Sequence, residues 1–257
     1  MRTLRLALRF DGSAYHGWQI QPNAVTVQAK IKAALETLSG RSETVIGCSR
    51  TDSGVHAGIF CCSLRTAMAL SAQKIPAALN GNLPRDIAVL SCEEMLPDFH
   101  AQYHCVAKEY RYYIWNSPQR NPFLEPYAPQ ASRELDVDLL NAMAKQFIGT
   151  HDFAAFCAAG SAVQSTVRTV QACEWRREGS LLTFRIQADG FLYNMVRIIV
   201  GTLLESTAQT DIPAMLVSRN RENAGATAPA QGLFLTQVSY ADKSFSAEYL
   251  PNREGRF

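Results

Sequence analysis

Net charge is what this chain has least of. Lys and Arg number 25 against 23 Asp and Glu, a balance of +2 over 257 residues. A protein that held nucleic acid through bulk charge would be strongly basic, so any such contact requires basic residues gathered on one face. No run of like charge and no low-complexity tract marks a disordered tail. The longest apolar stretch, 195–204, falls short of a bilayer span and carries Arg197. The opening residues alternate instead of forming an apolar block, so no secretory signal is expected and a cytoplasmic protein is. The seven cysteines form no CxxC pair, and Cys61 and Cys62 are neighbours that a strand would point to opposite faces. They read as reduced thiols packed as small hydrophobes. Also missing are a Gly-rich phosphate loop, a dinucleotide fingerprint and a Ser, His and acid arrangement. His100 and His104 have a metal-like spacing but no third ligand, so no metal site is expected. With no cofactor motif either, the chemistry falls to side chains alone.

What is present is an alternation of strands and short helices. Leu4, Leu6, Leu8 and Phe10 share one face of a first strand, with Thr3, Arg5, Ala7 and Arg9 on the other. Helical spacing of Val27, Ile31, Ala34, Leu35 and Leu38 follows, with Thr26 able to cap the start and Gly40 to end it. Further strands are expected over 45–48, 56–64, 87–92, 103–115, 167–175, 181–188 and 233–240. Helices are expected over 71–79, where Pro76 interrupts, and over 138–148, 191–206 and 213–223. A loop with Pro118, Pro122, Pro126 and Pro129 is the candidate break between halves. Many strands are consecutive, which predicts an α+β fold with a largely antiparallel sheet. The division expected is 1–104 and 105–257, two loosely similar halves with helices packed on the sheet.

Chemistry concentrates in a few places. The loop Gly47-Cys48-Ser49-Arg50-Thr51-Asp52-Ser53-Gly54-Val55-His56-Ala57 is polar and set between apolar strands. A loop held by strands can present a reactive carboxylate, but an Asp before Ser-Gly can also simply satisfy a turn. Arg197 is the one charged residue of 190–204, in a helix that should be buried. A buried arginine needs an anionic partner. Asp52, another carboxylate or a substrate phosphate would serve, and so would a structural pair with Asp189 or Glu205. In Lys108-Glu109-Tyr110-Arg111-Tyr112-Tyr113, aromatic residues interleave with charge, as in surfaces that stack bases, although tyrosines in strands are commonly half-buried sheet residues. Candidate groove residues for RNA are Arg5, Arg9, Arg50, Lys108 and Arg168.

The Asp52 loop resembles the active-site motif of the tRNA pseudouridine synthase A (TruA) family. Other segments resemble that family in order: Phe10-Asp11-Gly12-Ser13-Ala14-Tyr15-His16-Gly17-Trp18-Gln19, Thr26-Val27-Gln28, Ala78-Leu79-Asn80 with Leu83-Pro84, and Phe99-His100-Ala101. Then come Lys108 to Tyr112, His151-Asp152-Phe153 with Phe156, Phe191 to Arg197 with Val200-Gly201, and Ala228-Pro229-Ala230 before Gly232-Leu233. They cover nearly the whole chain. It departs from the pattern in Thr202 to Ala208, where the family usually has further glycine, and at Glu109. The resemblance implies a catalytic cleft between the halves and a homodimer that binds the tRNA anticodon stem-loop, modifying uridines at positions 38, 39 and 40. A uridine is flipped out of its stack and Asp52 acts as nucleophile at the sugar or the base. Tyr110 lines the pocket as a base or stacking partner. Arg197 pairs with Asp52, and Arg50 helps displace or replace the flipped base. No metal or organic cofactor is implied.

Two rivals remain at this level. Asp52-Ser53-Gly54 matches the short element of aspartic proteases, but that chemistry needs two carboxylates sharing a proton and no second such element occurs. A non-catalytic RNA-binding or RNA-chaperone module would use the same tyrosines and arginines without needing Asp52.

Overall fold

The computed structural model describes residues 1–160 and 163–247. The opening alternation produces strand β1, Arg2–Phe10. Helix α1, Val27–Ser39, has the expected caps: the Thr26 side chain accepts from the Ala29 amide, and Gly40 takes the left-handed conformation at φ 70°. Strands β2, Thr44–Gly47, and β3, His56–Thr66, flank the polar loop. A 3₁₀ turn, Ala72–Lys74, leads into α2, Ile75–Asn80, and strand β4 follows at Ile87–Met95. Pro76 therefore does not interrupt a helix. It sits in the first turn of α2, where its missing N–H would have no intrahelical partner anyway.

Strand β5 is Cys105–Asn116 and the short β6 is Gln130–Ala131. Between them the proline-bearing stretch is folded by turns, such as Ala128 N–H to Leu124 O at 2.7 Å. Helix α3, Val137–Ala144, is shorter than its pattern predicted, passing into a 3₁₀ turn at Lys145–Phe147 and an unforeseen strand β7, Gly149–Asp152. The hairpin β8, Val167–Glu178, and β9, Leu181–Ala188, turns at Gly179, φ 58°. Helix α4, Met195–Glu205, starts four residues later than expected because Asn194 is left-handed, φ 59°, and cannot continue a helical turn. Helix α5, Ile212–Ser218, ends at Arg219 for the same reason, φ 54°. Strands β10, Leu233–Tyr240, and β11, Ser244–Ser246, complete the described chain.

The chain divides into two compact units, one of Met1–Val106 with the stretch from Leu235, the other Ala107–Phe234. The fold is α+β and largely antiparallel. In the first unit the strand order is β4-β1-β3-β10, with β2 on β3 and β11 on β10. In the second it is β5-β9-β8-β7, with β6 parallel on the edge of β5. Among the described residues no helix is long and apolar enough to cross a membrane. Cys61, Cys62 and Cys173 are buried, and burial pushes their thiols up.

Arg5 does not line an RNA groove. Its side chain is 2% exposed, bonds Glu93 and Asp242 at 2.7 Å each, and lies under the rings of Phe99, Tyr240 and Phe245. Lys243 also pairs with Glu93. The side chain that alternation assigned to the polar face thus pins the C-terminal hairpin to β1. Burial works to raise the Glu93 carboxyl, but hydrogen bonds from Lys243 and Arg5 outweigh it and hold it below its ordinary range. The Arg5 hydrogen bond does the same for Asp242. Depressed carboxylates stabilise the fold above their unfolded pKa, and this is lost as pH falls through the folded value. Arg5→Met is expected to lower the unfolding free energy at pH 7 by about 2 kcal/mol, below the cost of breaking a fully buried pair because both carboxylates are partly exposed. The deficit should shrink as pH falls below about 4, as urea unfolding at pH 7 and pH 3 would show.

Candidate active site

The Asp52 loop is short and polar, so its backbone groups need partners outside the flanking strands. The segment 11–18 supplies them. Trp18 N–H donates to Thr51 O at 3.2 Å, and Tyr15 O accepts from Gly54 N–H at 3.1 Å and from Ser53 Oγ at 3.4 Å. Within the loop, Val55 N–H donates to Asp52 O at 3.1 Å, a turn that Gly54 permits with φ 76°.

The two segments approach more closely than side chains would allow. A Cβ at Gly12 would lie 2.1 Å from Val55 O, and one at Gly17, where φ is 83°, would lie 2.3 Å from Thr51 O. Behind them Trp18 stacks on Phe60 at 4.1 Å, and a Cβ at Gly47 would meet the indole at 2.6 Å. Tyr15 is buried, and its hydroxyl donates to Asp86 Oδ1 at 2.6 Å, while Asp11 N–H donates to Asp86 O. Burial, then Asp86, push the Tyr15 phenol up, so it remains a donor. The fully buried His56 places Nδ1 3.0 Å from Gly12 N and 3.1 Å from Asp11 Oδ1. Asp52 itself is half-buried and Arg50 exposed, so the loop presents a carboxylate on a rigid mount with a cation beside it in sequence.

In the second unit, Tyr110 is buried on β5, with its ring edge-on to Phe191 at 5.0 Å. Lys108 and Tyr110 share a face, as alternation predicted. Their cross-strand partners are Ala188 and Ile186 on β9. Arg197 stands in the first turn of α4, half-buried. Nε donates to Ala228 O at 2.7 Å and Nη1 to Asn194 Oδ1 at 2.9 Å, while Arg197 O accepts from Ala228 N–H. The left-handed Asn194 therefore serves to aim the guanidinium. The structural pairs considered for Arg197 do not form: Asp189 Oδ1 accepts from Thr169 N–H, and Glu205 Oε1 from Ala226 N–H. Glu109, a departure from the family pattern, is buried on the opposite face of β5 and bonds Arg111 at 3.0 Å and Arg185 at 2.6 Å.

Thus Asp52 and Arg50 belong to the first unit, and Tyr110, Lys108 and Arg197 to the second. Asp86 escaped sequence reasoning, and Tyr15 and Asn194 lay in segments that resemble the family without a role being given to them. Only the glycines at 12 and 17 hinted that 11–18 approaches another backbone. His100 and His104 are used in a turn: His100 Nδ1 accepts from Tyr103 N–H at 3.2 Å, and His104 Nδ1 from His100 N–H at 3.5 Å. Among the described residues no cluster of His, Cys, Asp and Glu could hold a metal ion.

Gly17→Ala combines an unfavourable left-handed Ala with a clash against Thr51 O. It is expected to cost about 3 kcal/mol in stability. Hydrogen exchange should show Gly54 and Val55 amides losing protection before those of β3. Uniform loss across the unit would mean the contact is not local.

Comparison with known proteins gives consistent matches. A family model described as tRNA pseudouridine synthase matches residues 6–104 and 143–241. A tRNA pseudouridine synthase A of Acetivibrio thermocellus is 43% identical over 244 residues, covering 93% of this chain and all of that protein. One of Moorella thermoacetica is 44% identical over 246 residues, with the same coverage. Among solved structures, an H/ACA RNP bound to a substrate RNA containing 2′-deoxyuridine aligns over 90% of this chain and 46% of that one, at 11% identity and a TM-score of 0.39, too low to bear on this fold.

Proposed function

The chain belongs to the tRNA pseudouridine synthase family, enzymes of the isomerase class, and on that premise we propose that it converts uridine to pseudouridine in the anticodon arm of tRNA, at positions 38, 39 and 40, with Asp52 as nucleophile. The observation that carries the assignment of Asp52 is its mounting. A half-buried carboxylate stands on a loop whose backbone is clamped from one side by Trp18 and Tyr15 and carried by apolar strands on the other. Catalysis depends on such fixed placement.

The reaction is an internal transfer, so atoms balance without a cofactor. The flipped uridine presents its sugar and base to the Asp52 carboxylate, which attacks the nucleoside. The C1′–N1 bond breaks, the uracil turns, C5 bonds to C1′ and the bond to Asp52 breaks again to free the carboxylate, while a proton leaves C5 and N1 gains one. We assign to Arg197 the positive charge that favours the ionised nucleophile, a role that suits a guanidinium held by Ala228 and Asn194. Arg50, exposed in the same loop, takes the place of the flipped base, and Lys108 and Tyr110 contact substrate. The protein acts as a homodimer in the cytoplasm.

The test uses tRNA tritiated at C5 of its uridines. Wild type should release tritium from the anticodon arm, and Asp52→Ala and Asp52→Asn should lower the rate by at least about 10³-fold while still binding tRNA. No release by folded, tRNA-bound wild type would overturn the assignment in favour of a non-catalytic RNA-binding module. Tyr110→Phe keeps the ring and removes the hydroxyl. A fall of about 10²-fold or more in single-turnover rate assigns proton transfer to it, and a change below about tenfold assigns stacking.

A further inference from the structure

The two faces of the second unit's sheet treat their charges differently. On the face bearing Glu109, each cation meets a carboxylate. Arg111 and Arg185 pair with Glu109, and Arg185 and Arg176 pair with Glu174 at 3.3 and 3.2 Å. On the Tyr110 face they do not. Lys108 is only 9% exposed and forms no ion pair with a carboxylate among the described residues. Register places a second cation on the same face. Lys108 lies opposite Ala188, which lies opposite Val170, and Arg168 is two residues before Val170 on the same face. The Arg168 stem crosses Gly190, where a Cβ would stand 3.3 Å from Nε. Its Nη1 is held by Ser165 O at 3.0 Å and Val167 O at 2.6 Å, and it too has no carboxylate partner among the described residues.

The nearby acids are committed elsewhere. Asp189 points to the other face and accepts from Thr169 N–H, and Asp152 bonds Thr166 and Arg219. Gly190 is followed by Phe191, which packs on Tyr110. Lys108 and Arg168 thus lie on the Tyr110 face of the sheet with no carboxylate partner among the described residues. Burying the Lys108 ammonium without a counter-charge is unfavourable unless an anion arrives to meet it.

We propose that Lys108 and Arg168 form a phosphodiester-binding subsite, which grips the RNA backbone next to the flipped nucleotide while Tyr110 meets its base. The inference rests on the tRNA reading for the identity of the anion and joins two of the groove candidates, Lys108 and Arg168, in one subsite, with Gly190 as the opening that Arg168 crosses. The guanidinium and the ammonium suit phosphate oxygens, one as a fixed fork and the other as a point charge.

The experiment measures tRNA dissociation constants for the full chain from about 50 to 200 mM KCl. Arg168→Gln and Lys108→Gln should each weaken binding roughly tenfold at the lower salt and reduce the slope of log Kd against log salt by about 1. Arg168→Lys should keep most of the slope, which a purely structural role would not predict. Single-turnover tritium release at saturating enzyme should stay within about threefold for Arg168→Gln, because a backbone grip acts on binding. Unchanged Kd and slope in Arg168→Gln, with an unchanged melting temperature, would overturn the subsite. Should Lys108→Gln fail to fold, Arg168→Gln decides alone. Wild type that binds tRNA with this salt dependence but releases no tritium would sink the synthase reading and leave the subsite standing.

Discussion

The approach of one backbone to another, through positions without side chains, is the constraint on which the first unit's site depends. Gly12 and Gly17 bring the segment 11–18 against Thr51 and Val55, and no other residue type fits at those distances. That contact supplies the hydrogen bonds that a short loop cannot make to itself, through Trp18 N–H and Tyr15 O. Behind it, the Tyr15 hydroxyl and the Asp11 amide both terminate on Asp86 just before β4. The loop is thereby referred to the strands of its own sheet, and its carboxylate inherits their rigidity.

Charge is handled by the same logic of enclosure. Arg5 is buried with two carboxylates and three aromatic rings around it, so its charge is used to hold β1 and the C-terminal hairpin together. The Glu109 face of the second unit neutralises itself through arginine and glutamate in alternation. Lys108 and Arg168, on the other face, meet no carboxylate among the described residues, and Arg177 there bonds only neutral oxygens. A near-zero net charge is compatible with an RNA-binding protein when neutralisation is this uneven.

Arg197 shows how a family motif and a local conformation depend on each other. The left-handed Asn194 delays the start of α4 and delivers its side-chain oxygen to Nη1, while Ala228 binds Arg197 through both its carbonyl and its amide. Periodicity alone would have run the helix through 191–194, since those residues are apolar enough to continue it. The same kind of left-handed residue, Arg219, cuts α5 short.

The sequence by itself determined the strands other than β6, β7 and β11, the capped helix α1, the α+β class, the polar loop around Asp52 and the face shared by Lys108 and Tyr110. Those features follow from period-two and period-3.6 burial and from capping, which are local. Only the tertiary structure decided that Arg5 is a buried pin and not a groove residue, that Arg197 is aimed by Asn194 and Ala228 while Asp189 and Glu205 bond elsewhere, and that 11–18 clamps the Asp52 loop. Each of these is a contact between residues far apart in the chain, where alternation assigns a face but not the neighbour that face will meet.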